Sequence, residues 1–272
     1  MNRRSFLGTL TAASLTTVLD GSRAELAQAQ DAAPKQDAKS NFQENATVIL
    51  VHAAWADGSC WSNTILPLER KGLKVVCAPI PLTSLTNDVT ALKQELGRTS
   101  GPVILVGHAY SGAVIAAVQE DYPIKALVYI TALAPDEGET VAKIFYHEPP
   151  GPEAPKMVPD SNGLIWMPDD AFARALTAHA SADQSRIAAA LQRPLSVPCI
   201  QEPAPTPLWK SKPTWFLIAE DDRMISPKTQ RFMAERMGAK IRSHHLDHTP
   251  MVSEPAPVVD IILEAARETL SV

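Results

Sequence analysis

A short glycine-bounded segment, Gly107 to Gly112, has the spacing of a turn that carries a reactive side chain. It is Gly-His-Ala-Tyr-Ser-Gly, and it lies between an apolar, β-branched run and a stretch of small residues. In the pattern Gly-x-Ser-x-Gly, a sharp strand-to-helix turn exposes a serine that attacks a carbonyl carbon. Here the central position is Ala109, which has no attacking oxygen, and the second glycine position is Ser111. The segment therefore predicts the turn without its nucleophile.

A second segment, His52 to Trp61, follows the first apolar run of the chain. In a fold with such a turn, this loop supplies one backbone N–H to the oxygen that gains negative charge during the reaction. The residue after the nucleophile supplies the other N–H. The two predicted donors of this oxyanion hole are therefore the amides of Ala54 and Tyr110.

The rest of the chain must place these two segments side by side. Short β-branched runs alternate with helical patterns, which predicts an α/β fold with a mostly parallel sheet and helices on both faces. Active residues in such sheets lie at the carboxyl ends of the strands. The predicted strands are 46–51, 73–78, 102–106, 125–130, 214–219 and 240–244. The predicted helices are 59–70, 87–97, 111–120, 226–237 and 255–270.

The alternation is interrupted between about residues 135 and 213. This stretch carries roughly half of the 23 prolines of the chain, with helical patterns only near 169–180 and 182–191. We interpret it as a cap inserted into one domain that spans residues 46–272, because single α/β domains commonly reach this length.

Aromatic residues in and near the cap are candidates to line a substrate pocket. Trp166 and Trp209 lie in the cap, and Trp55 lies in the first loop. Tyr146 and His147 are further candidates in the cap. Apolar aromatic walls with few polar groups are typical of sites for small molecules, so a small-molecule substrate or ligand is the expected partner.

Several motifs together resemble the α/β-hydrolase superfamily. They are His-x-Ala-Trp-Ala-Asp-Gly-Ser-x-Trp from residue 52, the turn around Ala109, Ala-Pro-Asp-Glu-Gly-Glu from residue 134, and a late Asp–His pair. The nearest branch contains small bacterial esterases and plant methylesterase and hydroxynitrile-lyase proteins, and the resemblance covers residues 46–270. It implies the α/β-hydrolase fold and a serine nucleophile, an aspartate and a histidine base in that order along the chain.

The resemblance also assigns the remaining catalytic positions. Asp222, in Glu-Asp-Asp-Arg, matches the acid of the family, and Asp221 is its rival. His248, in Asp-His-Thr-Pro-Met, matches the histidine base. Ala109 stands at the nucleophile position, and Ser111 is a surrogate with poor expected geometry, because it lies where the chain has entered the helix.

Three functions remain open at this point. The first is a hydrolase of small apolar esters or related carbonyl compounds, in which Ser111 or an activated water replaces the nucleophile. The second is a lyase or cofactor-free oxygenase in which His248 and Asp222 act as a base and the amides of Ala54 and Tyr110 stabilise an oxyanion. The third is a ligand-binding protein without catalysis.

The beginning of the chain has the pattern of an export signal. Arg3 and Arg4 precede a mildly apolar stretch, and Ala27-Gln28-Ala29 offers a cleavage site between small residues. This pattern predicts a signal peptide of the twin-arginine type over residues 1–29, a polar linker over 30–45, and a periplasmic location. The apolar stretch is too short and threonine-rich to predict a membrane span.

Composition excludes several other classes of function. The net charge is −5, and the sequence has no basic stripe of the kind that binds nucleic acids. The three cysteines, Cys60, Cys77 and Cys199, are widely spaced and form no metal-binding pattern with histidine. We therefore expect no metal and no organic cofactor, while the oligomeric state is left open.

Overall fold

The computed structural model of the protein describes residues 41–118, 121–149 and 151–272. The predicted signal peptide and most of the predicted linker lie outside the described residues. Residues 41–45, at the end of that linker, pack against the C-terminus of the chain. Phe42 is buried and forms an antiparallel bridge with Ser271, and the Gln43 amide donates to the carbonyl of Leu270 at 2.8 Å.

The centre of the fold is a six-stranded sheet in which every neighbouring pair is parallel. The six predicted strands are all present, as β1 (Thr47–Val51), β2 (Lys74–Ala78), β3 (Val103–His108), β4 (Ile124–Ile130), β7 (Thr214–Ala219) and β8 (Lys240–His244). Their order in the sheet is β2-β1-β3-β4-β7-β8. The predicted α/β-hydrolase fold class is confirmed.

Helices cover both faces of the sheet, which explains why the central strands are apolar throughout. These helices are α1 (Ser62–Glu69), α2 (Leu85–Gly97), α3 (Ser111–Ala116), α8 (Pro227–Arg236), α9 (Pro250–Ser253) and α10 (Pro255–Thr269). Ile49 packs in one core with residues of α2, α3 and α8, while its neighbour Leu50 packs in the other with residues of α1 and α10. A strand buried on both faces needs apolar side chains at consecutive positions.

The predicted cap corresponds to the chain between β4 and β7. It contains α4 (Val141–Phe145), β5 (Leu164–Ile165), α5 (Asp169–Ala171), α6 (Ala182–Ala190), β6 (Leu195–Ser196) and α7 (Val197–Gln201). The strands β5 and β6 form a separate antiparallel pair. Among the described residues, no helix has the length and apolar character needed to cross a membrane.

The helical pattern predicted near residues 169–180 corresponds to α5 followed by a π-helical turn, Phe172–Leu176, so the helical segment ends four residues earlier than predicted. The backbone amide and the hydroxyl of Thr177 both donate to the Phe172 carbonyl at 2.9 Å, which closes the wider turn. A side chain that satisfies a helical carbonyl in this way competes with the regular ladder and ends the helix.

Candidate active site

Ala109 lies at the apex of a sharp turn between β3 and α3, where the sequence placed it. Its φ angle is +48°, in the left-handed region that residues with a side chain rarely adopt. Both backbone polar groups of Ala109 form hydrogen bonds. Its amide donates to the carbonyl of Ile130 at 3.2 Å, and its carbonyl accepts from the amide of Leu133 at 2.9 Å. Strained backbone of this kind persists only where its surroundings impose it, and it concentrates at functional sites.

Two glycines make this turn possible. A Cβ at Gly107 would lie 2.7 Å from the carbonyl oxygen of Ser111, and one at Gly112 would lie 2.4 Å from the carbonyl oxygen of Leu133. Both distances are well inside van der Waals contact, so any side chain would push the helix away from the sheet. The close approach therefore depends on Gly112, one residue beyond the position expected from the motif.

Ser111 does not face the cavity that contains Ala109. Its side chain is fully buried, and its hydroxyl donates to the carbonyl oxygen of His52. It also does not cap α3, whose N-cap residue is Tyr110 with no side-chain hydrogen bond. The structure thus contradicts Ser111 as a surrogate nucleophile, because its hydroxyl holds the two loops together instead.

His248 and Asp222 form a buried pair. The Nδ1 atom of His248 lies 2.8 Å from Oδ2 of Asp222, and both side chains are almost completely inaccessible. The second carboxylate oxygen of Asp222 accepts from the amides of Met224 at 2.7 Å and Ile225 at 3.0 Å. Oδ2 also accepts from the side-chain amide of Gln230 at 2.8 Å. These bonds orient the carboxylate toward the imidazole.

The rival aspartate points elsewhere. Asp221 accepts from the exposed ring of His245 at 3.2 Å and faces His179 of the cap at 3.5 Å. Asp222, and not Asp221, is therefore the aspartate that lies beside His248.

Two side chains hold the loop that carries His248 by bonding to its backbone. The carbonyl oxygen of His248 accepts from Nε2 of His108 at 2.8 Å and from the hydroxyl of Thr131 at 3.0 Å. Burial lowers the pKa of His108 well below its ordinary value, so this ring stays neutral and acts as a donor. Asp247, also buried, accepts from the Thr249 amide at 3.1 Å and orders the start of α9.

Sequence analysis missed three of these supporting residues: Thr131, Gln230 and Asp247. A signal existed for Gln230, because it lies on the side of α8 that carries buried Thr229, Met233 and Ala234. A polar side chain at an inward helical position requires a partner. Thr131 and Asp247 stand in loops, where polar residues are common and carry no comparable signal.

The predicted oxyanion donors are available. Within the described part of the chain, the amides of Ala54 and Tyr110 donate to no protein acceptor, whereas the next amide in the first loop, that of Trp55, donates to the Arg193 carbonyl at 3.1 Å. Both available amides belong to residues that border the same cavity as Ala109 and His248.

That cavity has an empty volume of about 650 Å³, including solvent at its mouth. Its walls are almost entirely apolar, and both Ala109 and His248 border it. The lining residues beyond the two catalytic positions and the first loop include Leu133, Val141, Phe145, Tyr146, Met157, Ile165, Leu195, Ile200, Met224 and Ile225. A site of this character accepts an uncharged apolar molecule with one polar group.

Of the three tryptophans predicted to line the pocket, only Trp55 does so. Trp166 is 47% exposed and lies outside the cavity, because the β5 strand turns its neighbour Ile165 inward instead. Trp209 is buried against the guanidinium of Arg236, 5.9 Å from its ring centroid. Tyr146 borders the cavity, but His147 stacks on Phe232.

The comparisons with known proteins agree with this geometry. The model of the alpha/beta hydrolase family matches residues 48–261. Methylesterase 2 of Arabidopsis thaliana is 25% identical over 250 residues, covering 80% of this chain and 95% of that protein. Carbendazim hydrolyzing esterase of Nocardioides sp. is 32% identical over 115 residues, covering 37% of this chain and 47% of that protein.

Solved structures show the same fold. Polyneuridine aldehyde esterase superposes with a TM-score of 0.71 at 18% identity, covering 81% of this chain and 99% of that one. An extracellular alpha/beta-hydrolase from a Paenibacillus species superposes with a TM-score of 0.69 at 19% identity, covering 82% and 99%. With the match of the family model over most of the chain, the protein belongs to the alpha/beta hydrolase family.

Proposed function

We propose that this protein is an enzyme that acts on a small apolar ester without forming a covalent intermediate. One observation carries the proposal. His248, held by buried Asp222, borders the same apolar cavity as Ala109, which keeps the backbone conformation of a nucleophile but has only a methyl group. The histidine base and its aspartate are therefore present, although the nucleophile position has no attacking oxygen.

In the proposed reaction a water molecule takes the part of the serine. The ester carbonyl oxygen accepts hydrogen bonds from the amides of Ala54 and Tyr110. His248 removes a proton from water as the water oxygen bonds to the carbonyl carbon, and Asp222 stabilises the imidazolium. The tetrahedral oxyanion then collapses, the C–O bond to the alcohol breaks, and the imidazolium returns its proton to the leaving oxygen. The products are the carboxylic acid and the alcohol.

The similarity to esterases supports an ester as the substrate. Methylesterase 2 and the carbendazim hydrolyzing esterase carry that chemistry in their names. The apolar walls further support an uncharged substrate, since no arginine or lysine side chain borders the cavity within the described residues.

A second candidate follows from the same apolar lining. Apolar walls around a single base also suit removal of a proton from the substrate itself, either from a carbon next to a carbonyl or from a hydroxyl, with the resulting oxyanion at the same two amides. His248 is again the base. This reaction needs neither a nucleophile nor water at the position of Ala109.

The test compares three proteins: the parent, His248→Gln, and the matched control His244→Gln, whose ring is exposed at the end of β8. We expect slow hydrolysis of p-nitrophenyl butyrate by the parent, loss of that activity in His248→Gln, and no change in His244→Gln. The second candidate is measured by NMR, as His248-dependent exchange of deuterium from D₂O into an apolar ketone.

Two outcomes would overturn the proposal. Hydrolysis that is abolished by Ser111→Ala while the fold is intact would show that Ser111 reaches the substrate. Binding of apolar esters and ketones without turnover or exchange would show that the cavity only binds ligands.

A further inference from the structure

Three aspartates are buried in the described part of the chain, and one of them has no part in the reaction proposed above. Asp222 orients the ring of His248, and Asp247 orders the loop around it. Asp88, in the first turn of α2, is completely inaccessible and touches neither the histidine nor the cavity. A buried carboxylate is costly unless several donors satisfy it, so its contacts indicate its role.

The contacts of Asp88 lead directly to the oxyanion hole. Its Oδ2 atom accepts from the hydroxyl of Tyr110 at 2.7 Å and lies 3.7 Å from the thiol sulfur of Cys199 in the cap helix α7. Its Oδ1 atom accepts from the amide of Leu82 at 2.7 Å. The carboxylate therefore joins the β2–α2 loop, the turn at Ala109 and the cap at one point.

Tyr110 connects the Asp88 carboxylate to the proposed oxyanion hole. It directly follows Ala109, and its amide is one of the two available donors, while its ring extends to Asp88 and is 3% exposed. Because the amide and the ring belong to one residue, a fixed ring restricts rotation of the peptide plane that carries the N–H. Donors held at a fixed position stabilise an oxyanion without a reorganisation cost at the moment of reaction.

We infer that Asp88 is a positioning residue for the oxyanion hole, acting through the Tyr110 hydroxyl. The inference rests on the proposed function, since it concerns the amide that binds the carbonyl oxygen. A role in packing alone would not require a carboxylate here, because apolar replacements of buried charges are often neutral or stabilising.

The probe is butyrate, whose carboxylate places a negative oxygen at the hole and whose chain suits the apolar walls. Binding is followed by ¹H–¹⁵N NMR of the parent, Asp88→Asn, Tyr110→Phe and the matched control Asp260→Asn on the exposed face of α10. We expect a downfield shift of the Tyr110 amide on binding to the parent and the control. We expect a reduced shift, and affinity weaker by about tenfold, in Asp88→Asn and Tyr110→Phe, as for loss of one hydrogen bond to a charged group.

The double variant Asp88→Asn/Tyr110→Phe should be no worse than the more affected single variant, because Asp88→Asn removes the charged acceptor and Tyr110→Phe the donor of one and the same bond. If Asp88→Asn does not fold, Tyr110→Phe alone carries the test, since it keeps the carboxylate and removes a single oxygen. A parent without any butyrate-induced shift at Tyr110 would overturn the proposed hole and this inference with it. A parent shift that persists unchanged in Tyr110→Phe and Asp88→Asn, even with a lower melting temperature, would overturn the role of Asp88 alone.

Discussion

The turn at Ala109 and the loop at His248 border one cavity, but different kinds of bond hold them in place. The apex of the turn is held by backbone bonds and by glycines that allow the helix to approach the sheet, and side-chain bonds are made by the residues after it, Tyr110 and Ser111. The loop is held by side chains, with His108 and Thr131 on its carbonyl and Asp222 on its ring. We infer that the backbone geometry of the turn does not depend on the side chain at position 109, whereas the position of the His248 ring depends on several side chains at once.

The largest expected effect comes from restoring the missing oxygen. Ala109→Ser should raise hydrolysis of p-nitrophenyl butyrate by about 10³-fold or more, because the turn, the amides and the base are already placed and loss of a triad member typically costs about 10⁶-fold. Steady-state kinetics of the parent and the variant measure this gain.

The control for that gain is Ala109→Ser/His248→Gln, which should return to the level of His248→Gln alone. An Ala109→Ser protein that folds and binds butyrate but hydrolyses no faster than the parent would mean that the turn does not aim its side chain at the substrate.

The turn itself should fail when its close approach is blocked. Gly112→Ala places a Cβ 2.4 Å from a backbone oxygen that cannot move without the sheet, so we expect a loss of about 3 kcal/mol or more in the free energy of unfolding. Urea unfolding measures it.

Gly97→Ala is the matched control, because no atom lies within 4 Å of its added Cβ at the end of α2. It should be neutral or stabilise by up to about 1 kcal/mol. Equal stability of the two variants would show that Gly112 is not the residue that sets the approach of α3 to the sheet.

The sequence predicted the turn well and the loop poorly, for a physical reason. The turn is local, so glycines and small residues at fixed spacing reveal it, and the strands that end beside it are continuous apolar runs. The partners of the His248 loop come from β3, from the residue after β4 and from α8, and their contacts appear only when the sheet is assembled.

The pocket shows the same limit. The position of Trp166 and Trp209 in the cap predicts that they line the pocket, but one is about half exposed and the other packs against Arg236. The cavity is lined instead by aliphatic residues and methionines of the cap, such as Ile200 and Met157. Such residues also fill ordinary cores, so only their three-dimensional arrangement distinguishes the two uses.

A smaller effect, on the pH dependence of folding stability, should follow from the buried histidines. Burial lowers the pKa of both His108 and His52 from 6.5, so below that pH the unfolded chain binds more protons than the folded one. Stability should therefore fall as the pH is lowered below 6.5, with a limiting slope of about 1.4 kcal/mol per pH unit for a histidine that stays neutral in the folded protein.

His108→Gln removes one of these groups, so the slope of stability against pH between 6.5 and 5.5 should be shallower in the variant than in the parent. Melting curves at several pH values measure it, with His244→Gln as the exposed control. A slope unchanged in His108→Gln would mean that this ring is already protonated in the folded protein.

The smallest effect on stability is expected at the His248 carbonyl oxygen, which accepts hydrogen bonds from two donors. Thr131→Val keeps the shape of the side chain and removes the hydroxyl that donates to the His248 carbonyl at 3.0 Å. The Nε2 atom of His108 still satisfies that carbonyl at 2.8 Å, so the oxygen is not left unpaired. We therefore expect a loss of about 1 kcal/mol in the free energy of unfolding, the net value of one hydrogen bond.

Thr131→Val/His108→Gln sharpens this last comparison, since it disturbs both donors. If the two donors share the work of holding the loop, the double variant should lose more stability than the sum of the single variants, because only then is a buried carbonyl left poorly satisfied. A strictly additive result would show that each donor acts separately. A double variant as stable as the parent would show that the His248 loop, like the turn at Ala109, is held mainly by its backbone, and the contrast between the two halves of the site would not stand.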